Sequence, residues 1–284
     1  MTLREALHFG RQRLQAAGVP DYEYDANALL QYASGRSMAG ILGNPGEELT
    51  PEAEQRYLDM LDLRAKRIPL QHILGETCFY GYMFHTRAGA LIPRSDTEHL
   101  VEHALRLAPK RKISFLDLCT GSGCIGISFW LERKAMGCAD QGILSDISPE
   151  ALALARENAG LLQAEVEVLR SDLFAGLSGK RFDMILSNPP YISLAEMETL
   201  MPEVKEHDPR LALTDEGDGL GFYRRIAAEA KAYLEQDGYL VLEIGCDQGN
   251  AVTELLRAAG YEDTECHRDY AGLDRVVTAR LSRN

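Results

Sequence analysis

From residue 112 onward, short apolar runs alternate with longer amphipathic stretches. That alternation restricts the fold more than any other feature of the chain. Strands are expected at 113–118, 142–145, 166–169, 182–187 and 239–244. Helices are expected at 124–133, from Ser148-Pro149 to about 159, at 222–235 and at 250–259. Two closely spaced strands follow at 262–267 and 275–280. Parallel strands need crossover connections, and helices make them. The pattern therefore reads as α/β: a doubly wound, mainly parallel, seven-stranded sheet with helices on both faces. The last two strands form an antiparallel pair at one edge.

The first 112 residues read differently. Residues 1–74 carry helical stripes (Leu3, Ala6, Leu7, Leu14) and helix-start signals at Asp21 and Thr50-Pro51. They form a small all-helical domain of four or five helices. Residues 75–92, with Phe79-Tyr80-Gly81-Tyr82, read as a β-hairpin linker. Ser95-Asp96-Thr97-Glu98 has the spacing of a capping box, opening a helix to about 107. The α/β domain then spans 93–284.

No apolar run approaches the ~18 residues of a membrane helix. The first ten residues lack a secretory pattern, and the six cysteines show no CxxC pair. A cytoplasmic protein with reduced thiols is expected, touching no membrane. The net charge of −13 divides unevenly, about −2 in residues 1–90 and −11 beyond. A surface of that sign disfavours direct DNA binding.

Asp117-Leu118-Cys119-Thr120-Gly121-Ser122-Gly123 lies where the 113–118 strand meets its helix. Glycines allow a tight turn and close approach of a ligand to backbone. Asp146 ends the next strand, where a carboxylate can accept hydrogen bonds from both hydroxyls of a ribose. The segment Gly121 to Gly126 also matches GxGxxG, the dinucleotide fingerprint. Asp117 tilts the reading away from an anionic pyrophosphate. S-adenosylmethionine carries an ammonium and a sulfonium and no phosphate, and an acidic glycine-lined pocket suits it.

The 182–187 strand runs into Asn188-Pro189-Pro190-Tyr191. Two prolines fix φ and remove two N–H donors. Acceptors remain, with the Asn188 amide and a flat Tyr191 face. Such a corner fits a planar substrate bearing –NH2. The nitrogen of a carboxamide is a poor nucleophile because its lone pair is delocalised, so holding it in place matters more than a strong base. In a doubly wound sheet whose order reverses beside the 113–118 strand, that strand and the 182–187 strand are neighbours, and their carboxyl ends flank the ligand crevice.

These residues resemble the class I methyltransferases, and more closely the release-factor glutamine methyltransferases (the PrmC/HemK family). The resemblance also covers Arg67-Ile68-Pro69-Leu70-Gln71-His72, Phe79-Tyr80-Gly81, Leu91-Ile92-Pro93-Arg94 and Asp218-Gly219-Leu220. It implies methyl transfer from S-adenosylmethionine to the N5 amide of the glutamine in the Gly-Gly-Gln loop of peptide-chain release factors. The helical domain would dock that substrate. By motif, the cofactor residues would be Asp117, Cys119, Thr120, Gly121, Ser122, Gly123, Asp146 and Asn188, with Asp172 and Leu173 at the adenine. Asn188, Pro189, Pro190 and Tyr191 would hold the glutamine and perform the catalysis. No metal is implied, and a monomer is expected. Cys119 stands where the family has glycine, Ser95 where it has proline, and Thr214-Asp215-Glu216 where it is glycine-richer.

Other readings start from the same residues. The target could be a ribosomal-protein glutamine or an amino group of a nucleic-acid base. A nicotinamide-dependent (NAD) oxidoreductase would use the glycine turn but leave the double proline unexplained. His99 and His103 share a helix face without a third ligand and read as a solvated face. Cys119 and Cys124 read as packed thiols. Arg64, Lys66 and Arg67 read as a solvated helix end. Residues 192–218 are expected to order over the substrate as a lid.

Overall fold

The structure, a computed structural model, describes residues 1–282. The chain divides into two compact units. One comprises Met1–Glu76 and takes in Met201–His207 from far along the chain; the other comprises Thr77–Leu200 and Asp208 onward.

The first unit is helical: α1 (Leu3–Ala16), α2 (Tyr22–Ser34), α3 (Met38–Gly43), α4 (Pro51–Ala65) and α5 (Leu70–Leu74). The Thr50 hydroxyl accepts from the Ala53 N–H at 3.2 Å with Pro51 in the first turn, as the sequence predicts. Asp21 precedes α2 without a side-chain cap. Leu3, Leu14, Leu29, Leu30, Tyr57 and Leu61 form the core.

In the basic cluster Lys66 is exposed as expected, but Arg64 and Arg67 are not solvated. Arg64 is buried; it donates to Asp25 at 2.6 Å and to Glu203 at 2.9 Å. Arg67 grips Glu203 through both carboxylate oxygens, at 2.6 and 2.5 Å. Burial by itself would raise the Glu203 carboxyl, but the guanidinium hydrogen bonds of Arg67 and Arg64 outweigh it and hold it at about 2. Both carboxylate partners lie far off in sequence, so only folding reveals the network.

The boundary between the units falls inside the hairpin of β1 (Glu76–Phe79) and β2 (Tyr82–His85), which turns through Tyr80 and Gly81, both at positive φ. A 3-10 turn (Ser95–Thr97) leads into α6 (Glu98–Leu107). The capping box does not form. The Glu98 carboxylate instead accepts from the Tyr80 N–H at 2.8 Å. Then come β3 (Ser114–Leu118), α7 (Cys124–Ala135), β4 (Gln141–Asp146), α8 (Pro149–Leu161), β5 (Val166–Arg170) and β6 (Phe182–Ser187). The long connection holds α9 (Leu194–Met197), α10 (Pro202–His207) and α11 (Arg210–Leu213). It is followed by α12 (Gly221–Glu229), β7 (Leu234–Glu243), α13 (Gly249–Ala258), β8 (Glu262–Arg268) and β9 (Asp274–Arg280).

The sheet runs β5-β4-β3-β6-β7-β9-β8. Its first five strands are parallel, and β9 is antiparallel to β7 and β8. The doubly wound, seven-stranded reading is correct, including the antiparallel edge. One boundary differs. The helix expected to reach 235 ends at Glu229, and β7 starts at Leu234. A bulge, with Asp237 at φ 63°, absorbs the polar Glu235-Gln236-Asp237-Gly238 stretch that looks like a turn in sequence.

The histidine face is a packing element. His99 is buried edge-on against Tyr270, and His103 stacks on His267 with centroids 4.0 Å apart. No metal-competent cluster occurs among the described residues. Glu203→Ala strips Arg67 of its carboxylate and leaves Arg64 with Asp25 alone. The expected loss in urea-unfolding free energy is about 2–3 kcal/mol, below the full cost of an orphaned buried charge. A change under half a kcal/mol would show that the network contributes nothing.

Candidate active site

At the carboxyl ends of β3, β4, β5 and β6 lies a cavity of about 320 Å³, within the range of small-molecule sites. The β3–β6 register pairs Leu118 with Ser187, and the Ser187 hydroxyl donates to the Leu118 carbonyl at 2.7 Å. This seats the glycine turn beside the double proline. Of the expected residues, Cys119, Thr120, Gly121, Ser122, Asp146, Asp172, Leu173, Asn188 and Pro190 line the cavity.

Asp146 is well placed to receive a diol. Its Oδ2 accepts from the Gly121 N–H at 2.9 Å and its Oδ1 from the Ser148 N–H at 3.0 Å. Each oxygen keeps a lone pair for a ligand. Burial raises the Asp146 carboxyl despite these bonds. Asp172 lies on the rim, paired with Arg225 at 2.9 Å.

Four expected residues sit behind the cavity wall. Asp117 is fully buried, and its Oδ2 accepts from the Thr120 hydroxyl and, at 2.9 Å, from the Gly126 N–H. Gly126 is in the first turn of α7, whose N-cap Gly123 has no side chain to offer. Asp117 supplies the missing cap from the preceding strand. Burial pushes its carboxyl up to about 7, with Asp146 adding repulsion. Gly123, at φ 85°, and buried Pro189 also stand outside the lining. So does Tyr191, whose hydroxyl lies 3.5 Å from the Glu243 carboxyl. The capping role also puts a carboxylate on one first-turn N–H of α7, which disfavours a pyrophosphate there.

Cys119 adopts φ 61°, the left-handed region that glycine enters freely. A non-glycine residue in this turn therefore carries a conformational cost. Burial raises the thiols of Cys119 and Cys124, the latter to about 12, so both are packed groups rather than nucleophiles.

Sequence reasoning missed several contributors. Arg94 lines the cavity and donates to Asp208 at 2.6 Å. Ile147, Phe222 and Ala212 supply apolar wall. Asn158, fully buried on α8, donates to the Ser122 carbonyl at 2.9 Å and accepts from the His85 N–H at 2.8 Å, tying the turn to the hairpin. Its isolated position in a helix gave no signal. Gly219, at φ 78°, lies so close to Tyr191 that a Cβ there would stand 2.3 Å from the Tyr191 carbonyl oxygen.

An acidic cavity at the switch point of a doubly wound sheet, with the Asp146 carboxylate on the strand beside the glycine turn, is the arrangement of the class I methyltransferases. The fold agrees with a solved methyltransferase from Pyrococcus furiosus, at TM-score 0.53 and 16% identity over 70% of this chain and 89% of that one. Two family models match: PrmC N-terminal domain over residues 5–75 and Methyltransferase small domain over residues 95–218. The release factor glutamine methyltransferase of Cereibacter sphaeroides is 43% identical over 99% of both chains. That of Deinococcus radiodurans is 41% identical, again over 99% of both. The chain belongs to the release factor glutamine methyltransferase family.

Two expectations follow from the geometry. Asp117 binds its proton more tightly folded (about 7) than unfolded (3.8), so its contribution to stability declines as pH rises between those values. Asp117→Asn should flatten the fall in urea-unfolding free energy between pH 4.5 and pH 7 (about the two pKa limits). An unchanged slope would contradict the burial argument. Gly219→Ala should lower stability by about 1–2 kcal/mol from φ alone, and further because the Tyr191 carbonyl must move. A thermal midpoint equal to wild type would show that the close approach is not needed.

Proposed function

We propose that the protein transfers a methyl group from S-adenosylmethionine to the N5 nitrogen of the glutamine in the Gly-Gly-Gln loop of peptide-chain release factors. The observation that carries this reading is the Asn188 carboxamide on the cavity wall, beside the glycine turn. The cavity suits S-adenosylmethionine: Asp146 for the ribose, Leu173 and Asp172 toward the adenine, and the Cys119–Gly123 turn for the amino-acid portion. When bound, that group supplies a methyl on a cationic sulfur.

The protein's own part is placement. Asn188 Oδ1 and the Pro189 carbonyl accept the two N–H bonds of the substrate amide, which turns the nitrogen lone pair toward the cofactor side. The prolines offer no competing N–H. Placement of this kind is worth up to ~7–11 kcal/mol in favourable intramolecular systems. The nitrogen that took the methyl would be cationic and strongly acidic, and would lose its proton to water without a strong base, the thioether being the leaving group.

The helical unit would dock the release factor, with the hairpin as linker to the methyltransferase domain. The same reading has the enzyme working in the cytoplasm, as a monomer, on protein rather than DNA. Net charge −13 supports the last point, and no helix among the described residues is long and apolar enough to cross a membrane.

The test uses tritiated S-adenosylmethionine and release factor, wild type or with the loop glutamine changed. Label is expected only on the wild-type factor, and label that persists without the glutamine overturns the target. Asn188→Ala should cut turnover about 100-fold, as for a lost positioning contact, with cofactor affinity changed far less. Equal losses in both would make Asn188 a cofactor residue only.

A further inference from the structure

The double-proline corner cannot hold itself. Pro189 and Pro190 lack N–H groups, so neither can donate a backbone hydrogen bond to pin the turn. Its shape is set at its two ends. The near end is β6, where the Ser187 hydroxyl reaches the Leu118 carbonyl. The far end is Tyr191, and there a side chain from far along the sequence takes over. The Gln248 Nε2 donates to the Tyr191 carbonyl at 2.9 Å.

Both ends of the Gln248 amide are engaged. Its Nε2 also donates to the Gly219 carbonyl at 3.3 Å, and its Oε1 accepts from the Gly245 N–H at 3.0 Å. All three partners are backbone groups. A carbonyl only accepts and an N–H only donates, so one orientation of the amide satisfies them. The main chain of Gln248 is equally fixed. It stands at the head of α13, its N–H donating to the Gly245 carbonyl at 3.0 Å and its carbonyl accepting from the Val252 N–H at 2.9 Å. Val252 and Leu256 root that helix in the core. The loop carrying Gly219 is shaped to match. The Asp215 carboxylate accepts from the N–H groups of Gly217, Gly219 and Gly221 at 2.9, 2.9 and 2.7 Å.

We infer that Gln248 is a positioning residue for methyl transfer: it clamps the exit of the corner and so fixes where the Pro189 carbonyl and the Asn188 side chain stand. Gln248 does not line the cavity, so it acts through the corner. With φ fixed at both prolines, few free torsions remain between Ser187 and Tyr191. A displaced Tyr191 carbonyl is therefore passed back along the chain to Pro189 and Asn188. The inference rests on the function proposed above.

Two variants of the same length test it. Gln248→Glu keeps the oxygen that accepts from Gly245 but sets a carboxylate against the Tyr191 and Gly219 carbonyls. Gln248→Met removes all three side-chain hydrogen bonds. Turnover is counted per cofactor site, titrated with S-adenosylhomocysteine, so that unfolded enzyme does not enter. With release factor as substrate, both variants should lower kcat about tenfold or more, within the ~100-fold that a misplacement of about 1 Å can cost. Affinity for S-adenosylhomocysteine should stay within about twofold, because the clamp acts on the substrate corner and not on the cofactor turn. A residue that merely held the head of α13 would leave Gln248→Glu at the wild-type kcat, since the Gly245 bond survives in it. A wild-type kcat in either variant, or a cofactor affinity that falls as far as kcat, would overturn the inference. Wild-type enzyme that leaves the release-factor glutamine unlabelled would instead overturn the function beneath it.

Discussion

The pairing of β3 with β6 is the constraint on which the site depends. Parallel strands in register deliver their carboxyl ends to the same edge, and the Leu118–Ser187 match places residues 119–123 beside residue 188. The Ser187 hydroxyl adds a bond across the strand ends, onto the Leu118 carbonyl. A slip of one residue would reverse the faces of the strand and carry Asn188 away from the turn. The strands on either side then finish the pocket: β4 brings Asp146, and β7 brings Glu243 behind the wall.

The acids of this region divide their labour by burial. Asp146 is at the cavity surface with two backbone donors and lone pairs to spare. Asp117 and Glu243 are fully buried, and both carboxyls are driven up to about 7, chiefly by burial. Asp117 spends its hydrogen bonds on α7, whose glycine N-cap cannot cap itself. Glu243 faces the Thr97 and Tyr191 hydroxyls. Two residues that look alike in charge thus meet different partners, one a helix N-terminus and the other a pair of hydroxyls.

The loop after Tyr191 is also tied down rather than loose. Residues 201–207 belong to the helical unit through Glu203, while Ile192 bridges to Thr214 and Gly219 packs against Tyr191 in the other. The chain passes between the two units at each end of a seven-residue segment.

Strand–helix alternation, the glycine turn, Asp146 and the double proline were all legible in the chain, because each is a local pattern with a local physical cause. Period and composition specify strands and helices, and prolines and glycines specify the backbone at a turn. From these the sheet, its antiparallel edge and about a third of the cavity lining follow. Side-chain partners did not follow. Glu98 looked like a cap and bonds Tyr80; Arg64 and Arg67 looked solvated and enclose Glu203; Asp117 looked like a ligand and caps a helix. In each case the deciding partner lies elsewhere in sequence, and a charged or polar group settles wherever burial leaves a donor or acceptor unmatched. That choice exists only once the chain is folded, which is why these pairings belong to the tertiary structure alone.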